Sequence, residues 1–105
     1  MERDRLGRFE HFLLLAVVRL GDDAYGMTIR RELARHTGRE IAVGAIYTAL
    51  ARLEARGLVQ SWLGEPTPER GGRAKRYYRV LAAGKKAVAK TQSALVGLSD
   101  DLKQT

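Results

Sequence analysis

The chain has 105 residues, of which 19 are Lys or Arg and 12 are Asp or Glu, so it carries a formal net charge of +7. This length predicts a single domain, and 45% hydrophobic with 30% charged residues is typical of a folded chain rather than a disordered one. The absence of cysteine excludes a disulfide scaffold and thiol catalysis. The excess of positive charge favours a polyanionic partner, either nucleic acid or an anionic membrane surface.

A first helix is predicted over residues 6–20, where apolar side chains recur at helical spacing and also occupy the remaining faces. A helix that is apolar nearly all round must be covered on more than one side, so we expect a subunit interface that includes Phe9 and Phe12. The longest apolar run, residues 12–18, has seven residues, whereas a membrane span needs roughly 20. We therefore expect a cytoplasmic protein without a membrane partner.

Two further helices are predicted at residues 24–36 and 43–56 from their apolar periodicity. Asp22 or Asp23 is expected to cap the earlier one, and Gly38 to follow its end. The outward face of the later helix carries Gly44, Tyr47, Thr48 and Arg52. Such small and polar side chains suit close approach to a DNA groove, although the same pattern is typical of any amphipathic surface.

A β-hairpin is predicted from strands at residues 58–63 and 76–81, joined by a loop rich in Gly and Pro. Trp62 in its first strand is expected to pack on the neighbouring helix. Residues 65–80 hold five basic side chains against two acidic ones. Alone, this charge is as typical of a solvated loop as of a phosphate-binding one. The basic residues are Arg70, Arg73, Lys75, Arg76 and Arg79.

A last helix is predicted over residues 83–102, and it carries an apolar seam with alternating steps of three and four, as in a coiled coil. The seam consists of Val88, Thr91, Leu95, Leu98 and Leu102. Because the chain leaves no folded body for this seam to cover, we expect a second subunit to cover it.

The order helix, helix, helix, strand, wing, strand, helix is that of a winged helix-turn-helix, a mainly α fold with a small two-stranded β-hairpin. In this architecture the third helix enters the major groove and the wing reaches the backbone or the minor groove. Residues 1–81 would form the DNA-binding domain, and residues 82–105 a C-terminal dimerisation helix packed on the same domain. The charge on the hairpin then favours DNA binding over a merely solvated loop.

Two other function classes fit the sequence less well. An enzyme is disfavoured because His11 and His36 belong to different predicted helices and have no partner at metal-ligand spacing. We expect His11 at a surface or interface, and we expect no catalytic residue, metal or cofactor. A winged-helix module that binds proteins stays open, since fold does not fix function. Such a module would tend to lose the wing charge, which this chain keeps.

Four stretches in register resemble the PadR family of transcriptional regulators over nearly the whole chain. They lie at residues 13–16, 24–26, 44–54 with 57–59, and 71–78, the last reading Gly-Gly-Arg-Ala-Lys-Arg-Tyr-Tyr. Each is short, but their joint spacing makes the resemblance specific. The short C-terminal region is similar to the small PadR-like subgroup with a single C-terminal dimerisation helix.

The resemblance implies a homodimeric repressor of a pseudo-palindromic operator, with the last helix packed near the partner's first helix. The family's third-helix tyrosine and basic wing residues correspond to Tyr47, Arg73, Lys75 and Arg76. A small-molecule effector would need different affinities for the DNA-competent and incompetent dimers, and the sequence identifies none. The resemblance and the sequence pattern together predict a set of DNA-binding residues. They are Tyr25, Gly44, Tyr47, Thr48, Arg52, Arg70, Arg73, Lys75 and Arg76.

Two positions depart from the family pattern. Ala42 precedes the third helix where Ser is common, and Leu81 precedes the last helix where Thr is common. Each change is expected to remove a side-chain cap, which typically contributes about 1 kcal/mol.

Overall fold

The computed structural model of the chain describes residues 6–65 and 74–104, with side chains for residues 6–65 and 74–100. Four helices and a two-stranded antiparallel hairpin make up this part of the chain, which confirms the predicted mainly α fold. The elements are α1 (Arg8–Leu20), a 3-10 turn (Gly21–Asp23), α2 (Gly26–Thr37), α3 (Val43–Ala55), β1 (Val59–Leu63), β2 (Arg76–Val80) and α4 (Ala82–Gln104).

One apolar core lies between the first three helices and the hairpin. Burial of each large aliphatic side chain in such a core contributes about 1.5–3 kcal/mol. Because the core draws on every element from α1 to β2, it fixes the rotation of α3 about its axis. The largest fully buried side chains are Leu13, Leu14, Val17, Ile29, Ile46, Leu50, Leu53, Leu58 and Val59.

The start of α2 differs from the expectation that Asp22 or Asp23 would cap it, which is wrong. Both aspartates lie in the 3-10 turn, and an extended segment separates them from the helix. The hydroxyl of Thr28 instead accepts a hydrogen bond from the N–H of Tyr25 (3.0 Å) and donates to the carbonyl of Asp23. A side chain inside the first turn therefore replaces the expected cap.

The other helix ends follow the sequence more closely. Gly38 ends α2 as predicted, in the left-handed conformation with φ of 71° that glycine adopts readily. Ala42 gives α3 no side-chain cap, as its departure from the family pattern indicates. The last helix begins at Ala82, one residue earlier than predicted.

The side chain of Arg30 holds the turn between α2 and α3. Its Nε donates to the carbonyl oxygen of Ile41 (3.1 Å) and its Nη2 to the carboxylate of Glu40 (2.9 Å). Because Arg30 belongs to α2 and both partners lie just before α3, this side chain fixes how the two helices meet.

The hairpin is antiparallel, with Val59 opposite Val80 and Trp62 opposite Tyr77. The other edge of β2 bridges the segment before α2, where Tyr25 pairs with Tyr77. The N–H of Tyr78 next to it donates to the carbonyl of residue 24 (2.9 Å). The wing is thus anchored to the chain segment that leads into α2.

The last helix has 23 residues, so it is about 35 Å long. Its first half packs on its own chain, where Ala87 is buried and Val88 lies against the core. The expectation that no part of the chain covers the seam is therefore wrong for Val88.

His11, expected at a surface or interface, is only 4% exposed and hydrogen-bonds through Nε2 to the Oε1 of Gln92 (2.7 Å). Within the described ranges, no helix is both long and apolar enough to cross a membrane.

Candidate nucleic-acid interface

The outward face of α3 is set by the residues that α3 buries. Ile46, Leu50 and Leu53 are completely buried, so the opposite side of the helix must face solvent. The structure brings four of the predicted DNA-binding residues together on this exposed face. They are Gly44, Tyr47, Thr48 and Arg52.

Tyr47 leans from α3 onto the beginning of α2. A Cβ atom added to Gly26 would overlap the hydroxyl oxygen of the tyrosine. The phenol is nevertheless 43% exposed, so one edge of the ring remains accessible. Gly26 is not among the residues predicted to bind DNA. The only signal was a glycine next to Tyr25 at the start of a helix.

The base of the wing also lies beside the start of α2. The ammonium nitrogen of Lys75 is 4.5 Å from the ring centroid of Tyr25, a distance typical of a cation–π contact. Tyr25 in turn meets Tyr77 edge to face, with ring centroids 5.5 Å apart. Tyr25 and Lys75 were both predicted to bind DNA. Because Tyr25 precedes Gly26 in the chain, this pair lies next to the contact between Tyr47 and Gly26.

Trp62 lies on the outer face of the hairpin and is only partly covered, in a groove that it lines together with Val17 and Val18 of α1. It is 40% exposed and stacks on Tyr77 with ring centroids 6.0 Å apart. The guanidinium carbon of Arg79 lies 5.9 Å from its ring centroid. The reason is register, because Val59 and Tyr78 take the face of the hairpin that covers the core and Trp62 takes the other.

Arg76 takes part in a polar chain from β2 to α3. Its Nη1 donates to the hydroxyl oxygen of Ser61 (3.0 Å), and that hydroxyl donates to the carboxylate of Glu54 (2.9 Å). Arg76 remains exposed, so its other guanidinium hydrogens face solvent near the hairpin. Sequence reasoning missed Ser61 and Glu54, because neither their spacing nor their type marks them as site residues.

Tyr78 lies buried beneath this polar chain. Burial raises the pKa of its hydroxyl, and the neighbouring Tyr47 and Glu54 act in the same direction, whereas Arg76 lowers it. The hydroxyl therefore stays neutral at physiological pH.

The remaining DNA-binding candidates, Arg70 and Arg73, lie outside the described residues, and so does the side chain of Leu102. No group of three or more His, Asp or Glu side chains that could hold a metal ion occurs within ranges 6–65 and 74–100.

A buried carboxylate joins the end of α1 to α2. Glu32 is 5% exposed, and its oxygens lie 2.7 Å from the Nε of Arg19 and 3.6 Å from the Nη1 of Arg35. The Nε2 of His36 is 2.9 Å away. Sequence periodicity did not identify Glu32, because a single acidic residue in a basic helix is typical of an exposed position.

The predicted dimer-interface residues fall into two groups. Phe9 and Val88 are partly buried against the core of their own chain, and Thr91 is half-buried. Leu95 and Leu98 are exposed, as is Phe12 on α1. Val96 on α4 is also exposed, although the seam pattern does not include it.

Beside Phe12, a groove of about 530 Å³ runs between α1 and α2. Its walls are mainly apolar, with polar side chains along one edge. The lining residues are Phe12, Leu15, Ala16, Val18, Arg19, Glu32, Leu33, His36 and Thr37.

Comparison with known proteins identifies the family. Residues 14–90 match the model of the transcriptional regulator PadR-like family. The chain belongs to the PadR-like family. It is therefore a transcriptional regulator, and the resemblance seen in the sequence is confirmed.

Similar proteins agree with this assignment in sequence and in fold. Transcriptional regulator Rv3488 of Mycobacterium tuberculosis strain H37Rv is 35% identical over 83 residues, which cover 77% of this chain and 71% of the relative. A PadR-like transcription factor from Bacteroides fragilis has a TM-score of 0.77 at 19% identity, covering 98% of this chain and 92% of its own. A PadR family regulator from Clostridium difficile R20291 has a TM-score of 0.70 at 21% identity, covering 91% and 96%. At these identities the two structures show a shared winged-helix fold.

Proposed function

We propose that this PadR-like regulator binds duplex DNA as a homodimer and represses transcription from a pseudo-palindromic operator. The proposal rests on the surface region where the exposed face of α3 adjoins the base of the wing. There Tyr47 from α3 packs against Gly26, and Lys75 at the base of the wing lies over the ring of the preceding residue, Tyr25. A helix and a basic hairpin that meet in this way can contact adjacent parts of one duplex.

Each part of the surface has a chemical role in this proposal. The major groove is wide enough to admit α3, where Thr48 and Arg52 can bond to base edges or phosphates. Lys75 and Arg76 would contact the backbone or the minor groove, together with Arg70 and Arg73 outside the described residues. Contacts to phosphates set orientation and affinity, whereas contacts to bases set specificity.

A homodimer would cover the apolar surface that the monomer leaves open. We place the exposed end of α4 of one subunit, with Leu95 and Leu98, in the groove beside Phe12 of the other. Both surfaces are apolar, and α4 extends about 35 Å, beyond the core that covers its first half. Because a twofold axis would present two copies of α3, half-sites are expected about 10 bp apart or a small multiple of that.

A binding experiment on DNA tests the proposed function. The purified protein is titrated by gel shift with the region upstream of its own gene, with a scrambled duplex as competitor, at two salt concentrations. A shifted band that resists the scrambled duplex supports a specific regulator, and footprinting then locates the operator. Equal binding to both duplexes that disappears with salt would contradict it. The protein-binding winged-helix module would then be the better interpretation.

The dimer is tested separately with a matched pair of substitutions on α4. Leu95→Asp places a charge in the proposed interface, whereas Ser93→Asp places the same charge on nearly the opposite side of the helix. Sedimentation is expected to show monomers for Leu95→Asp and dimers for Ser93→Asp. A dimer that survives Leu95→Asp would place the interface elsewhere.

A further inference from the structure

Three aromatic rings from three chain segments form a continuous row on the outer face of the hairpin. The ring of Tyr77 on β2 lies between Tyr25, with centroids 5.5 Å apart, and Trp62, with centroids 6.0 Å apart. The backbone sets this row, because Tyr77 pairs with Trp62 on one edge and bridges Tyr25 on the other. We call these three residues the aromatic row.

A cation lies at each end of the aromatic row, and the two cations differ in their other contacts. Arg79, near Trp62, also donates to the side-chain oxygen of Gln60 from Nε (3.1 Å) and Nη2 (3.0 Å). The ammonium of Lys75 lies 4.5 Å from the ring centroid of Tyr25. Within residues 6–65 and 74–100 it forms no ion pair or hydrogen bond. The tyrosine ring is therefore the group that orders Lys75 in this part of the chain.

An aromatic partner differs from a carboxylate in what it does to a lysine. A carboxylate would order the ammonium and also neutralise its charge. The face of a ring attracts the cation but keeps the full positive charge available to a phosphate. Ordering in advance also lowers the loss of side-chain entropy on binding, which is large for a lysine.

We propose that Tyr25 is a positioning residue whose ring holds Lys75 ready for a DNA phosphate. The inference rests on the proposed DNA-binding function, and it assigns to Tyr25 an indirect role rather than a DNA contact of its own. The row fixes the position of Tyr25 through Tyr77. The next residue, Gly26, packs against the ring of Tyr47, so the backbone that carries Tyr25 is also in contact with α3.

The first test uses no DNA. A lysine side chain that lies over a ring has methylene protons shifted upfield in the NMR spectrum. We expect this shift for Lys75 in the wild type and in Tyr25→Phe, which keeps the ring, and its loss in Tyr25→Leu. A wild-type Lys75 with methylene shifts of an unstructured lysine would overturn the proposal. This outcome does not depend on whether the protein binds an operator.

The second test is a double-mutant cycle measured by fluorescence anisotropy on the operator duplex over a range of salt. Lys75→Ala is expected to weaken binding on the order of fivefold and to lower the salt slope by about 0.9, the value for one phosphate contact. Tyr25→Leu is expected to weaken binding in the same direction, whereas Tyr25→Phe binds like wild type. Adding Tyr25→Leu to Lys75→Ala is expected to have no further effect, because the residue through which Tyr25 acts is already absent.

The outcomes separate the positioning role from its alternatives. Weaker binding by Tyr25→Phe would show that the hydroxyl itself contacts DNA, and additive effects of Tyr25→Leu and Lys75→Ala would show independent roles. Either result overturns the proposal. The emission of Trp62, which is the only tryptophan of the chain, reports whether each variant keeps the folded hairpin. If the wild type does not prefer the operator to scrambled DNA, the proposed function fails, while the NMR shift still decides whether the ring holds Lys75.

Discussion

The hydroxyl oxygen of Tyr47 occupies the position at which a side chain on Gly26 would begin. Tyr47 lies on α3 and Gly26 opens α2, so this contact sets how closely the two helices approach at the candidate DNA surface. Only a residue without a Cβ atom leaves this space to the phenol.

The first prediction concerns Gly26→Ala, which displaces the ring of Tyr47. Because the phenol is the end of a half-exposed side chain, it can swing into solvent, and alanine favours a helical backbone by roughly 0.4–1 kcal/mol over glycine. The free energy of unfolding is therefore expected to change by less than about 1 kcal/mol. Operator affinity, measured by anisotropy, is expected to fall on the order of tenfold, or about 1.4 kcal/mol.

Gly97→Ala is the matched control, because an added Cβ there meets open space on α4. It is expected to leave operator affinity unchanged. If Gly26→Ala binds the operator as well as Gly97→Ala does, the position of Tyr47 is unimportant for recognition.

The exposed face of α3 could be predicted from the sequence because a single helix determines it. If Ile46, Leu50 and Leu53 are buried, the 3.6-residue period places Tyr47 and Thr48 on the solvent-exposed face, regardless of what packs on the buried face. Local composition and apolar spacing likewise predicted the hairpin and the last helix, and the order of these elements predicted the fold.

Features that depend on distant pairs could not be predicted in this way. Trp62 faces solvent because its register against Tyr77 puts it on the outer face, and a strand read alone does not show which face is covered. The buried His11 forms a hydrogen bond with Gln92, 81 positions away. The periodicity of each helix contains no information about such a partner.

The second prediction tests the role of α3. Arg52→Ala removes a cation from its exposed face, so it is expected to weaken operator binding. If the guanidinium contacts a phosphate, the salt slope falls by about 0.9. Lys90→Ala removes the same charge from α4, which packs on α1 and β2, and is expected to leave the slope unchanged. Equal changes in both variants would indicate that only net charge matters.

The third prediction concerns the carboxylate that joins α1 to α2. Glu32→Gln keeps the shape of the side chain but removes a buried charge that Arg19 and His36 contact. Both partners are half-exposed or more and can return to water, so we expect a loss of about 1–2 kcal/mol rather than the larger loss of a fully buried pair.

Urea unfolding at a fixed protein concentration measures this loss, because a dimer would make stability depend on concentration. Glu40→Gln is the control, since its ion pair with Arg30 lies at the surface, and surface pairs contribute at most about 1 kcal/mol. Equal effects of the two substitutions would show that burial of Glu32 adds nothing to its contribution.

The fourth prediction is alkaline instability caused by Tyr78. Burial raises the pKa of its hydroxyl in the folded protein, so above pH about 10 the unfolded chain loses a proton that the folded chain still holds. The contribution of Tyr78 to the free energy of unfolding is therefore constant below that pH and decreases as the pH rises above it.

Tyr78→Phe removes the ionising group, so urea unfolding should show its stability falling less steeply than that of wild type between pH 9 and pH 11. Absorbance at 295 nm provides a second measurement, in which Tyr78→Phe should lose a component that titrates above the usual range of a tyrosine. Parallel stability curves for the two proteins would contradict the raised pKa, because both would then release the same protons on unfolding.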